Sequence, residues 1–161
     1  MVNAVDSTTE DAGAGRFDGL GPGMLVRYRG RQLIVERTLH FKSAAQEWAE
    51  HRLADDRLGR SLWFEVQETP GLVLTMYERL PAGEDPPGRD ELTRDGVTYR
   101  LAERGAATYR SAERAGPAKR GKMEYVEYHA GPARLAYERF DAGPWEVSLG
   151  RLVEPAEVEM G

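Results

Sequence analysis

Short β-rich runs cut by glycine and proline turns constrain this chain more than any other feature. Met24-Leu25-Val26-Arg27-Tyr28 alternates apolar and other residues, and Arg29-Gly30 reads as a tight turn into a second run, Arg31 to Phe41. Ser61–Glu68 and Gly71–Leu80 flank Thr69-Pro70-Gly71 and read as a hairpin. Four further runs follow, at 96–105, 122–130, 133–140 and 145–153. Only strands use residues in this way, so the fold class expected is all-β and antiparallel.

One segment resists. Residues 43–59, SAAQEWAEHRLADDRLG, favour helix by composition, with Ala45, Ala49 and Leu53 at helical spacing. An internal repeat decides it. Gly30–Arg37 overlays Gly96–Glu103 in apolar pattern, and Trp48-Ala49-Glu50-His51 overlays Tyr125-Val126-Glu127-Tyr128. Leu62–Glu65 overlays Leu135–Glu138, and Leu74–Met76 overlays Val147–Leu149. Residues 122–130 are poor in helix formers and rich in alternating aromatics, so they form a strand. Their counterpart around Trp48 is then expected to be a strand too. The architecture expected is two pseudo-repeated antiparallel four-stranded units, packed as a sandwich or closed as a barrel.

The breaks divide the chain into a disordered tail at 1–18, a first β repeat at 19–80, a linker at 81–91, a second repeat at 92–155 and a C-terminal tail at 156–161. A polar loop at 111–121 has Arg110, Arg114, Lys119, Arg120 and Lys122 in or beside it. It reads either as a solvated hairpin tip or as a basic docking loop for an anionic partner.

Composition removes several functions. Charged residues make up 30% of the chain, but the signs are mixed and the net charge is -5, so nucleic acid is not an expected partner. There is no cysteine, which rules out disulfides, thiolate metal sites and cysteine nucleophiles. No apolar run approaches the roughly 18 residues of a membrane span, and the polar, acidic start has no signal-peptide core, so a cytoplasmic location is expected. No Gly-x-Ser-x-Gly or phosphate-loop motif is present, and Gly21-Pro22-Gly23 precedes a strand rather than a helix. His40, His51 and His129 are too scattered to argue a metal site, and no cofactor or catalytic residue is assigned.

The order of Pro22-Gly23, Val26, Tyr28, Gly30, Val35, Trp48-x-Glu50, Leu53 and Trp63-x-x-Val66 resembles the bacterial, actinobacterial-type family called domain of unknown function 4178. In the second half Asp95-Gly96, Tyr99, Leu101, Gly105-x-Ala107, Tyr125-x-Glu127-Tyr128 and Glu146-x-Ser148-x-Gly150 agree with it. The likeness runs from about Gly21 to Val153 and rests on the order of many weak motifs. His51 departs from it, standing where the family often has an aromatic. The resemblance implies no known activity. It implies an accessory role with a protein partner, beside polyamine-linked or envelope-stress systems.

The residues that point to chemistry are Trp48, Glu50, Tyr125 and Glu127. In a strand each glutamate shares a face with the aromatic two residues before it. A carboxylate beside a ring face suits a cation, such as a polyamine or another ammonium compound. Three functions stay open: a non-catalytic binding or scaffold protein, a β-protein that binds a cationic small molecule, and a hydrolase using Glu50 and Glu127. The last needs the two carboxyls at a defined separation with one raised pKa.

Overall fold

The structure is a computed structural model that describes residues 17–55, 60–81 and 87–161. The first 16 residues of the expected disordered tail and residues 82–86 of the expected linker lie outside the described residues.

The chain runs through β1 (Leu25–Tyr28), β2 (Arg31–Lys42), β3 (Glu47–Asp55), β4 (Arg60–Gln67) and β5 (Val73–Arg79). It continues through β6 (Glu91–Arg94), β7 (Val97–Glu113), β8 (Arg120–Ala130), β9 (Ala133–Phe140) and β10 (Glu146–Val153). A 3-10 turn at Pro155–Glu157 leads to β11 (Val158–Met160). Each strand from β2 to β5 and from β7 to β10 pairs antiparallel with its successor, and β5 pairs with β10. The second half of β2 pairs with the end of β7, from Arg37 opposite Glu113 to Lys42 opposite Thr108. These pairings close an eight-stranded antiparallel barrel. Closure settles sandwich against barrel, and each half of the chain gives four strands to the ring.

β1, β6 and β11 lie outside the ring. β1 pairs with the first half of β2, and β6 with the start of β7. The hairpins turn at Arg29-Gly30 and Asp95-Gly96, where both residues of each pair have positive φ, the geometry that matches strand twist. Asp-Gly is a strong hairpin signal, and the sequence reading passed over it and missed β6. The C-terminal residues 156–161 are not a tail. Val158–Met160 pairs with β1, and Val158 is fully buried beneath it.

The helix-favouring segment is a strand from Glu47 to Asp55. Ser43 explains how its first residues fit. Its hydroxyl accepts the Gln46 N–H at 3.1 Å, and its own N–H donates to the Gln46 carbonyl at 2.9 Å. Ala44, Ala45 and Gln46 are thus spent on a tight turn, and β3 then pairs on both edges. Tertiary pairing outweighs intrinsic propensity over so short a window.

Part of the sheet is buried on both faces, while the outer side of β7 is largely exposed. In β5, Leu74, Thr75, Met76 and Tyr77 are all buried in succession. Leu39, Phe41, Trp63, Tyr77, Ala107 and Met123 form the cluster inside the ring. Leu33, Val35, Leu53, Phe64, Leu74 and Met76 pack on the opposite face of the first half, with Val26 of β1 and Val158 of β11. Tyr99, Val126, Tyr128, Leu135, Tyr137 and Val147 form a third cluster on the second half. Phe17 and Leu20 belong to the first-half cluster, so order begins before residue 19: Phe17 meets Phe64 edge to face at 5.4 Å.

The loop expected at 111–121 is shorter than the sequence suggested. Ser111–Glu113 and Arg120-Gly121 are strand, and only residues 114–119 make the tip.

Candidate functional site

Alternation along the ring strands places one set of side chains inside. On β3 it is Trp48 and Glu50, on β4 Trp63 and Glu65, on β8 Tyr125 and Glu127, and on β9 Ala136 and Glu138. Each pair is spaced by two residues, so each glutamate stands on the same face as its ring or small neighbour. Together with Glu103 of β7 they line one interior cavity of about 40 Å³. The four residues singled out from sequence, Trp48, Glu50, Tyr125 and Glu127, therefore line one space. The rings of Trp48 and Tyr125 meet edge to face at 5.4 Å.

Hydrogen bonds fix the lining. Trp48 Nε1 donates to Glu50 Oε2 at 3.1 Å, and Tyr77 Oη donates to Glu127 Oε1 at 3.3 Å. His129 Nε2 also lies 3.3 Å from that oxygen, but its geometry is too poor for a hydrogen bond. A polar chain crosses the space: Gln67 Nε2 donates to Gln46 Oε1 at 2.8 Å, and Gln46 Nε2 donates to Glu103 Oε1 at 2.7 Å. Tyr125 Oη donates to the same Glu103 oxygen at 3.0 Å. Arg79 is a countercharge that opposes the rise of both Glu50 and Glu138. It is held by Glu146 at 3.0 Å and lies 5.5 Å from the centre of the Trp63 ring.

Glu50, Glu65 and Glu138 are held toward the protonated form. Glu50 is only 6% exposed, and burial pushes its pKa up to about 7, with the Glu65 charge adding to the rise. Burial also raises Glu65 well above the carboxylate range, helped by Glu127, Glu138 and Glu103. Glu138 is raised by burial and then by Glu50. Glu50 and Glu138 are hydrogen-bonded, an arrangement that lowers Glu50 and raises Glu138. Tyr77 is raised by burial and by the carboxylates around it.

Two glycines make room for the interior rings. Gly150 lies opposite Tyr77 and Gly105 opposite Tyr125 in the strand register. A Cβ at 105 would come within 2.7 Å of the Tyr125 hydroxyl, and one at 150 would enter the edge of the Tyr77 ring. Gly150→Ala is expected to displace Tyr77 from Glu127 and to destabilise the fold by about 1–3 kcal/mol, the range for overpacking. Urea unfolding measures this, and an unchanged midpoint would count against the close ring contact.

The remaining sequence-chosen residues stand elsewhere. Arg110 is on β7, and Arg120 and Lys122 are on β8; only Arg114 and Lys119 belong to the hairpin tip. All five are exposed. His51 is buried and hydrogen-bonded to Thr38 Oγ1 at 2.8 Å through Nδ1, and burial pushes its pKa down to about 4. Among the described residues no group of three or more His, Asp or Glu side chains is set to hold a metal ion. No described helix is long and apolar enough to cross a membrane.

The interior glutamates Glu65, Glu138 and Glu103 were missed from sequence. A signal for two of them existed: Trp63-x-Glu65 repeats the spacing of Trp48-x-Glu50, and Glu138 follows Ala136 in the same way.

Fold and site together define an antiparallel β-barrel with a carboxyl-lined, aromatic-walled interior. The chain belongs to the family described as domain of unknown function (DUF4178), which matches residues 21–155. It is 34% identical over 149 residues to an uncharacterised protein of Mycobacterium bovis, covering 86% of this chain and 70% of the relative. Uncharacterised proteins from two strains of Mycobacterium tuberculosis match to the same extent. No solved structure matches the chain.

Proposed function

We propose that this protein is a non-catalytic binding protein whose barrel interior receives the ammonium end of a cationic small molecule. The observation that carries this reading is the convergence of Glu50, Glu65 and Glu138 on one cavity beside Trp48 and Tyr125. A cation in that space would favour the ionised form of these carboxyls, and the rings add attraction through their negative faces.

Size limits the ligand. A cavity of about 40 Å³ holds a water or one ammonium group. Sites that enclose a whole drug-sized ligand run to roughly 300–1,000 Å³. A polyamine therefore fits only by inserting one end, with the rest of its chain outside. This size favours an amine-tipped molecule or a lysine-bearing partner over an enclosed polyamine.

We read the two halves as pseudo-repeats, which puts Glu50 and Glu127 at equivalent positions. Each half opens with a hairpin turning on two residues of positive φ. Each second strand shifts register at the sixth residue after the turn glycine, Glu36 in β2 and Ala102 in β7.

Thermal shift at pH 8, with methylammonium, putrescine and magnesium at constant ionic strength, tests the function. The wild type is expected to be stabilised by the amines, reaching about 2.7 kcal/mol at one hundred times the dissociation constant. Glu50→Gln is expected to lose most of this. A wild type indifferent to both amines, or a Glu50→Gln variant that responds equally, overturns the reading.

A further inference from the structure

The outer face of the sheet carries a charge pattern that the interior does not explain. Register places His40 of β2 opposite Arg110 of β7, and Arg110 opposite Arg120 of β8. Two residues along, Lys42 faces Thr108, and Thr108 faces Lys122. All six are exposed. Cross-strand neighbours stand about 5 Å apart, and like charges directly opposite one another destabilise a sheet. Burial and the Arg110 charge lower His40 below its ordinary value, so near neutral pH it is a neutral hydrogen-bonding group. Lys42 alone has an acidic partner here, Glu47 at 3.8 Å, with both side chains mostly exposed. Arg110, Arg120 and Lys122 have none among the described residues.

A groove of about 660 Å³ runs beside these rows, with His40, Lys42, Arg110 and Arg120 on one side. The segment from Phe17 to Leu20 forms another wall. Asp18 of the lead-in segment, Glu47 of β3 and Glu68 just past β4 also line it. The groove is thus cationic on the β7–β8 side and acidic on the other. Its volume lies in the range of small-molecule sites, unlike the interior cavity.

We infer that this groove binds a small, soluble, phosphate-bearing molecule, with the phosphate over Arg110 and Arg120. Arginine pairs suit phosphate because each guanidinium presents a planar fork of donors. An anion between them also removes the like-charge repulsion across the strands. The acidic side favours a ligand with amine or hydroxyl donors at its other end. Arg110 and Arg120 stand on the opposite face of β7 and β8 from the barrel interior; the groove reaches the rim of the ring at Phe41, Trp48 and Tyr109, but the phosphate position over the two arginines does not depend on the interior binding a cation.

Calorimetric titration with sodium pyrophosphate, against sodium sulfate at equal ionic strength, tests the site. Saturable pyrophosphate binding is expected, with affinity falling at least tenfold in Arg120→Glu. That variant faces Arg110 with an opposite charge, so its melting temperature is expected to hold or rise; Arg110→Ser is the second variant and is expected to weaken binding likewise. Absence of saturable binding, or wild-type affinity retained in both variants, overturns the inference. So does a wild type that sediments with phosphatidylglycerol vesicles yet ignores pyrophosphate.

Discussion

Glu50→Gln is expected to stabilise the protein by about 3 kcal/mol at pH 8 and by only about 1 kcal/mol at pH 5. The sign follows from proton binding. The Glu50 pKa is about 7 in the fold against an ordinary value of 4.5. Its folded form therefore binds more protons than the unfolded chain between those values, and stability falls as pH rises through them. Below 4.5 both states are protonated and the full contribution is present; above 7 it is lost. At 2.5 pH units and roughly 1.4 kcal/mol each, the loss comes to about 3 kcal/mol. The amide fits the site, since its oxygen can accept from Trp48 and its nitrogen can donate to Glu138. For a chain of this length, a shift in melting temperature of roughly 6–10 °C follows at pH 8.

His51 works the other way. Its pKa falls to about 4, so its contribution is present above 6.5 and is lost as pH drops. The two groups oppose each other between about 4.5 and 6.5, which is why the difference between wild type and variant isolates Glu50 better than the wild-type profile does. Glu65 and Glu138, both raised, add to the alkaline loss. Melting scans of both proteins from pH 5 to 8.5 provide the check. A difference between them that stays constant across that range would contradict a buried, largely protonated Glu50.

Phe64→Ala is expected to cost about 3–5 kcal/mol, the range for removing a buried aromatic side chain. Phe64 is fully buried on the face of β4 opposite the interior. It meets Phe17 at 5.4 Å and lies 6.4 Å from the His51 ring. Its removal empties the first-half core and frees the lead-in segment. Phe64→Leu keeps most of the volume and is expected to recover much of the loss. Guanidinium unfolding of both variants gives the comparison, and an alanine variant losing under about 1 kcal/mol would show that this core collapses to fill the space.

How far the sequence revealed this molecule varied from element to element. Alternation exposed the strand character of Met24–Tyr28, and a β-rich run after the Thr69-Pro70-Gly71 turn exposed that of Gly71–Leu80, because local pattern is enough for both. The strand at Glu47–Asp55 needed comparison with the second half, since its own residues favour helix. β11 was invisible: three residues carry little pattern, and their partner β1 lies at the other end of the chain. In the site, Glu50 and Glu127 were found because each follows an aromatic on its own strand. Glu65 and Glu138 had a signal in the overlay of Leu62–Glu65 on Leu135–Glu138, whereas Glu103 lies just past a register shift in β7, which hides its inward face from local spacing.

Closure of the barrel also sets how the chain must reach its native state. Hairpins within each half form between near neighbours, but the two seams join residues far apart in sequence, Arg37 with Glu113 and Leu74 with Val153. Loop entropy must be overcome before either seam gives any return, which places folding in the slow, millisecond-to-second regime of non-local β-proteins. A half made alone would carry raw strand edges at β2 and β5, or at β7 and β10, each a template for pairing with another chain. The two halves therefore depend on each other for solubility as well as for stability.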